Sequence, residues 1–440
     1  MRVVIVGAGF AGLHAAHQLR ASGADVVLVE GGHRPGGRVR TVRDAFVGGQ
    51  YAESGAEWVD DIHHRLLGLL DRYGIGLLGT GEQWTVIRRW LHHGGRLLSP
   101  ADVRALDPAI DDQFAAFDAV VDAATAGVVD AARPDLHPDA AALDAQSVAD
   151  VIAGAEYGEF AALFGRRDAQ GEFASEPSEV SLLFVAQQRA HYRDASGGRP
   201  VTAYRAEGGF GQIAVNLAAE LGDVLSYGET LLGVDQDADG VTVRTDRRVL
   251  QADHVVLACS LVPLRAVQFH DPMPASLHDA VHGLGYGTVT KTSVQWSRRD
   301  WSAGYATSAG RAQRVYEPTV NQPGDTGILM SYCGGDGGRE WAATMTEAER
   351  IALAADEMRS MHGLTGDVVG GFSRAWSNEP RYGGSYSVYE PGQVTAYWDV
   401  LRRPWGRVHL AGEHVATCSG YIEGALETGE TVTARLLASG

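Results

Sequence analysis

Short apolar runs separated by amphipathic stretches organise the chain from its first residues. Residues 2–6 (RVVIV) are apolar and β-branched after the leading arginine, the pattern of a strand covered on both faces in a parallel sheet. Gly7-Ala8-Gly9-Phe10-Ala11-Gly12 follows, then apolar Leu13, Ala16 and Leu19 at helical spacing up to Gly23, then Val26 to Val29 closing at Glu30. This predicts a strand–helix–strand unit with its glycines at the first turn.

Between 224 and 258 the period shortens to alternating strands. Asp239-Gly240 falls where a hairpin turn belongs, between 231–234 and 241–243, and His254 to Ala258 forms another apolar strand. Residues 407–412 (RVHLAG) repeat the strand-then-glycine grammar and lead to a helix over 424–437. Three separated segments thus share the pattern of a nucleotide-binding fold. Residues 61–204 read as amphipathic helices, at 65–73, 114–124 and 180–189. Residues 286–395 begin with alternating Val289, Lys291, Ser293 and Gln295 and include a helix over 346–362 with a Thr346/Glu349 capping box.

Composition narrows the classes of function. With 440 residues, 45% of them hydrophobic and 21% charged, the chain can bury a large core, and its length predicts two or three domains. A net charge of −18, from 37 Lys and Arg against 55 Asp and Glu, weighs against nucleic acid and anionic membrane surfaces. Cys259, Cys333 and Cys418 are odd in number and widely spaced, so neither a disulfide framework nor a zinc site is expected. The start leaves no room for a signal peptide, and no run of about 20 apolar residues predicts a membrane span, which points to a cytoplasmic protein. Of the 37 basic residues 36 are arginine, and Lys291 is the single lysine. A compact ammonium kept in so arginine-rich a chain suggests a position that a guanidinium cannot serve.

Gly7-x-Gly9-x-x-Gly12 needs small residues so that the backbone turns tightly and approaches a pyrophosphate at the helix N-terminus. Glu30, 21 residues after Gly9, supplies a carboxylate for ribose hydroxyls and disfavours a 2′-phosphate. Arg34-Pro35-Gly36-Gly37-Arg38 puts two more glycines and a bidentate cation beside the cofactor phosphates. Segments 3–19 and 26–41 resemble the FAD fingerprint of the flavin amine oxidase superfamily, which includes monoamine, polyamine and L-amino-acid oxidases and lysine-specific histone demethylases.

The resemblance continues along the chain. The run 408–430, with Ala411-Gly412-Glu413 and Gly420-Tyr421-Ile422-Glu423-Gly424-Ala425, is similar to the superfamily's second cofactor signature. It implies that Glu413 hydrogen-bonds the cofactor between ribityl chain and phosphates, that the backbone near Ile422 meets the flavin pyrimidine edge, and that the backbone of Val234 holds the adenine. Lys291, with Trp296 and Trp301 five and ten residues on, resembles the family's lysine strand, implying a lysine that holds a water against flavin N5. The stretch from Trp376 to Tyr386 resembles the family segment that ends at the flavin. Ser385 stands where some members carry a covalently attached cysteine, which implies non-covalent FAD, and Tyr386 and Tyr421 match the two tyrosines of an aromatic cage. The candidate catalytic residues are therefore Lys291, Tyr386, Tyr421 and Trp376. Gly7, Gly9, Gly12, Glu30, Arg34, Gly36, Gly37, Arg38, Val234, Gly412, Glu413, Tyr421 and Ile422 are the candidate cofactor-binding residues, and no metal site is expected.

His63-His64 and His92-His93 lack ligand partners at metal spacing and read as solvated loops, and the acidic residues of 103–144 as a solvated helical face. No GxSxG, HExxH or P-loop lysine supports a hydrolase or a nucleotide triphosphatase.

The resulting expectation is an α/β fold. Its FAD-binding domain of Rossmann type comes from 1–60, 205–288 and 396–440, and its mixed α+β substrate domain from 61–204 and 289–395. The expected activity is FAD-dependent oxidation of an amine to an imine by hydride transfer to flavin N5, with O2 returning as H2O2. A pathway oxidase that acts on an amide or complex secondary amine, its imine trapped within the molecule, stays open, as does a flavin desaturase or isomerase. A redox-silent binding module is disfavoured. So is an L-amino-acid oxidase, because no arginine in a family motif offers a carboxylate clamp. Arg314, Tyr316, Glu317, Tyr332 and Trp341 are candidates for the cavity lining by position. The sequence stops at Gly440 directly after its last helix, without the apolar tail of membrane-bound members, and the oligomeric state stays open, a homodimer included.

Overall fold

The computed structural model describes residues 1–79, 90–301 and 304–439. Strand β1 (Arg2–Val6), helix α1 (Phe10–Ala21) and strand β2 (Asp25–Glu30) form the first unit. Five parallel strands lie in the spatial order Leu225–Tyr227, β2, β1, His254–Leu257, Val408–Leu410, so segments more than 150 residues apart complete one sheet. The apolar run of β1 serves both faces. Val3 and Ile5 enter the core that α1 shares with helices Gly211–Leu221 and Ile422–Ser439, while Val4 and Val6 enter the core shared with the neighbouring antiparallel sheet.

That antiparallel sheet contains Leu231–Gln236, Val241–Thr245 and Val249–Ala252. Its hairpin turn lies where Asp239-Gly240 predicts it, and Asp237 Oδ1 accepts from the backbone N–H of Asp239 at 2.8 Å and of Gly240 at 3.0 Å. Leu225–Tyr227 differs from expectation, since it leaves the meander and pairs with β2 as the edge of the parallel sheet.

A seven-stranded sheet runs in the order Val368–Ala375, Val289–Trp296, Gly327–Gly334, Arg314–Tyr316, Tyr305–Ser308, Leu91–His93, Arg96–Leu98. All eight residues of Val289–Trp296 are buried, although their polar alternation resembles a half-solvated strand. Helices Gly335–Thr344 and Glu347–His362 cover one face, the second capped by Thr346 and Glu349 as expected, and residues 46–57 cover the other. A smaller sheet pairs Val59–Asp60 and Leu77–Gly79 with Ala203–Ala206, so the domain boundaries expected at 60 and 204 fall within paired strands.

The predicted helices of the 61–204 segment are present as His64–Arg72, Ile110–Ala126 and Leu182–Ser196. One acidic residue of 103–144 is not on a solvated face. Asp144 is fully buried and accepts from Ser181 Oγ at 2.7 Å and from Thr395 N and Oγ1 at 2.8 and 2.7 Å, tying together three segments. The histidine pairs also depart from the solvated reading, because each pair buries one ring. His63 Nδ1 accepts from Asp60 N at 3.0 Å, and His92 Nδ1 lies 3.2 Å from Ser308 Oγ, while His64 is exposed and His93 half-buried. No helix among the described residues is long and apolar enough to cross a membrane, and none of their His, Cys, Asp and Glu groups could hold a metal ion. Gly440, the end of the expected anchor-free terminus, lies outside the described residues.

Candidate active site

One cavity of about 1150 Å³ runs from the glycine turn after β1 to the inner face of the seven-stranded sheet. Its first end is built from backbone. Gly7 has φ +106, and a Cβ there would press on Ala258 O at 2.7 Å. The space beside Gly9 is open, and across it Gly37, at φ +57, would put a Cβ 3.3 Å from the Gly9 Cα. Side chains at either position would fill the groove, so the two glycines keep a trough open beside the N-terminus of α1, where a helix favours an anion. Glu30 lines the trough and accepts from Ala8 N at 2.8 Å and Gly32 N at 2.6 Å, leaving carboxylate lone pairs for a ribose. Arg38 Nη1 donates to Glu413 Oε1 and to Ser385 O, each at 2.7 Å, and Glu413 also accepts from Ser387 Oγ at 2.8 Å and Gly420 N at 3.1 Å. Burial raises the Glu413 pKa, but Arg38 and the neighbouring donors outweigh it and bring it below the ordinary value.

Gly36, Gly412, Tyr421 and Ile422 also line the cavity, whereas three predicted cofactor residues do not. A Cβ at Gly12 would overlap Gly7 O, so its role is the close packing of α1 on β1. Arg34 spends its guanidinium on its own loop, donating to Pro35 O, Val39 O and Gly37 O at 3.1, 2.9 and 2.6 Å. Val234 is buried between two partner strands, opposite Val243 and Phe269, and the lining there comes from Glu229, Thr230, Leu231 and Leu232 instead.

The second end is built from side chains of distant segments. Lys291 is buried on its strand, and its Nζ donates to Glu57 Oε2 at 2.8 Å and to Gly55 O at 2.9 Å. Glu57 also accepts from Tyr316 OH at 2.6 Å and Arg205 Nε at 2.9 Å, and that guanidinium lies 4.0 Å above the Trp58 ring. Burial raises the Glu57 pKa, but Lys291 and Arg205 outweigh it and hold the carboxylate below its ordinary range. At nearby Glu53 burial outweighs the hydrogen bonds from Phe210 N and Thr41 Oγ1 and the charge of Lys291, and pushes the carboxyl up to about 7.

Tyr386, Tyr421 and Trp376 line the same end. The Tyr386 hydroxyl lies 2.8 Å from that of Tyr332, while Tyr421 packs on His63 and Tyr192 at ring separations of 5.0 and 6.1 Å. Burial raises both pKa values and keeps the phenols protonated, and it pushes His63 down to about 3, leaving a neutral ring behind Tyr421. Trp376 Nε1 donates to Ser54 O at 2.7 Å, and Ser385 Oγ to Gly287 O at 2.8 Å. Arg314, Tyr316 and Tyr332 line the cavity as anticipated. Glu317 instead takes Trp301 Nε1 at 2.8 Å, and Trp341 is buried in the helical core behind the sheet. Glu57, Arg205 and Tyr192 were not singled out by sequence. For Glu57 a signal existed, because a buried lone lysine demands a carboxylate.

Residues 10–437, which span the glycine turn, the buried lysine and both tyrosines, match the family of flavin containing amine oxidoreductases, to which the chain belongs. It is an FAD-dependent oxidoreductase acting on CH–NH bonds. An L-amino acid dehydrogenase of Synechocystis sp. is 27% identical over 458 residues, spanning 99% of this chain and 94% of that protein. The flavin-containing amine oxidase B of Bos taurus is 26% identical over 458 residues, spanning 99% and 86%. Among solved structures, cyclohexylamine oxidase from Brevibacterium oxydans superposes with a TM-score of 0.87 at 24% identity, covering 100% of this chain and 99% of that one, a likeness of fold.

Proposed function

We propose that the chain is an oxidase that converts an amine to an imine, with O2 as the final electron acceptor. FAD, when bound, supplies the hydride acceptor for the amine carbon and afterwards the electrons that turn O2 into H2O2. The trough at Gly7, Gly9, Gly36 and Gly37 would hold the pyrophosphate, Glu30 the ribose, and Glu413 the stretch next to them. With Ser385 at the position where attachment occurs in some relatives, binding is non-covalent.

The remaining work falls to the chamber. Tyr386 and Tyr421 present aromatic walls that orient the amine by its cation or lone pair. The substrate reacts as the neutral amine, so no side-chain base is needed, and water hydrolyses the product imine. Lys291 keeps a fixed ammonium at the wall, held by Glu57 and Gly55, where it orients water and stabilises developing negative charge. The observation that carries this reading is that the chain's single lysine lies buried in the wall of the cavity that begins at the glycine turn. The two-domain division, a cytoplasmic location and independence from nucleic acid belong to the same proposal.

The test is an absorbance spectrum before and after acid precipitation, followed by anaerobic titration with primary amines, polyamines, amino acids and N-acyl amines. Flavin released into the supernatant and bleached by one class is the expected result. Protein without flavin, or flavin that stays with the precipitate, contradicts the cofactor assignment, and flavin that no member of the panel bleaches contradicts the substrate assignment.

A further inference from the structure

We propose that Arg314 is an anion-binding subsite of the cavity, so that the amine oxidised here carries a carboxylate. This rests on the oxidase reading above and names the class of its substrate. Arg314 pairs directly with Tyr332 across neighbouring strands, and Tyr332 pairs directly with Lys291. Directly opposed residues project to one face of a sheet, so the three form a single row, and all three line the cavity. Strands lie about 4.8 Å apart, and with the Tyr332 strand between them Arg314 and Lys291 start about 10 Å from each other.

Arg314 is only 8% exposed. Its Nη2 donates to Asp168 Oδ1 at 2.6 Å, a carboxylate whose side chain is 33% exposed, while Nε is buried without a hydrogen-bond partner. A guanidinium carries five donors, and a buried one left open costs free energy until something accepts from it. Room for the group comes from a missing side chain. Gly171, in the last turn of helix Glu159–Glu172, lies where a Cβ would overlap Arg314 Nη1. Glycine weakens a helix relative to alanine, and here the space of its absent side chain is the seat of the guanidinium. Gly171 O also accepts from Tyr386 OH at 3.3 Å, which ties that seat to a proposed cage tyrosine.

A carboxylate is the acceptor that suits this donor. Hydrogen bonds between ionised partners are about twice as strong as neutral ones. Beside it on the cavity wall, the ammonium of Lys291 is already paired with Glu57. The arginine thus comes from a strand in the middle of the chain and not from a family motif, which is why the sequence offered no clamp.

The holoenzyme is titrated with benzoate and with benzamide, and binding is followed by the perturbation of the flavin absorbance. Benzoate is expected to bind at least tenfold more tightly than benzamide. Arg314→Gln should abolish the preference and leave benzamide unaffected, and Asp168→Asn, which removes the competing carboxylate, should tighten benzoate severalfold. Equal binding of the two probes by the wild type, a preference that survives Arg314→Gln, or, where that variant does not fold, unchanged benzoate binding in Asp168→Asn, overturns the subsite. Anaerobic reduction should proceed at least tenfold faster with L-phenylalanine than with phenethylamine, and the reverse order overturns the substrate class. A benzoate preference intact in an enzyme that no amine reduces would refute the oxidase reading and leave the subsite standing.

Discussion

The two ends of the cavity are made of different material. At the glycine turn the surface is backbone, and the charged residues nearby brace loops, as Arg34 does with three carbonyls of its own segment. At the chamber the surface is side chain, and Glu57 alone gathers Lys291, Tyr316 and Arg205 from three other parts of the chain. A backbone-built site depends on what is absent, namely Cβ atoms, whereas a network of buried charges depends on each partner being present. The first should fail by obstruction with the fold intact, and the second by loss of stability and of function together.

The sharpest way to break this contrast is Gly9→Asp. Nothing lies within 4 Å of a Cβ at Gly9, so the apoprotein should melt close to the wild type, while flavin content should fall below a tenth because a carboxylate occupies the phosphate trough. Absorbance per mole of protein and a circular dichroism melt decide it, and full flavin content would show that the trough is not the pyrophosphate site.

Glu57→Ala should destabilise the fold by about 3–5 kcal/mol, the usual result of removing one partner from a buried charge pair, as measured by urea unfolding. A loss below about 1 kcal/mol would mean that solvent reaches the cluster. Lys291→Met should retain flavin yet slow its reoxidation by O2 at least tenfold, about 1.4 kcal/mol of barrier, in stopped-flow mixing. Unchanged oxygen kinetics would remove Lys291 from that half-reaction.

The smallest effect is one of pH. His63 is held neutral by burial, its pKa pushed from 6.5 to about 3, so between those values the unfolded chain binds a proton that the folded chain refuses. Its contribution to stability is therefore present above pH 6.5 and lost as pH falls, at up to about 1.4 kcal/mol per pH unit well inside that window. His63→Gln should narrow the drop in melting temperature between pH 7 and pH 5, and an unaltered drop would place the acid sensitivity elsewhere.

Legibility in the sequence follows the same division. Gly7, Gly9, Glu30, Gly36 and Gly37 are readable because their spacing is local, and the structure puts them all along one trough. Arg34 shows the limit of reading by proximity, since a cation near a glycine loop can serve the loop itself. Val234 shows another, because an alternating strand does not reveal which residues face a cavity and which are pinned between neighbours. Lys291 stands out through composition alone, but its partner Glu57 lies 234 positions earlier, and no local pattern couples them. His63 and His92 read as polar surface, and only tertiary packing turns one ring of each pair inward.

The parallel sheet has a consequence for how the chain comes into being. Strand β1 precedes its neighbour His254–Leu257 by some 250 residues, and the closing strand Val408–Leu410 follows about 150 residues after that. At about 5–20 residues per second the ribosome needs roughly 8–30 s to pass from one of these strands to the other. Throughout that interval His254–Leu257 is an open edge, with unpaired peptide groups ready to join another chain. The nascent protein must therefore wait, sheltered or at risk of aggregation, until strand Val408–Leu410 arrives to pair with that edge.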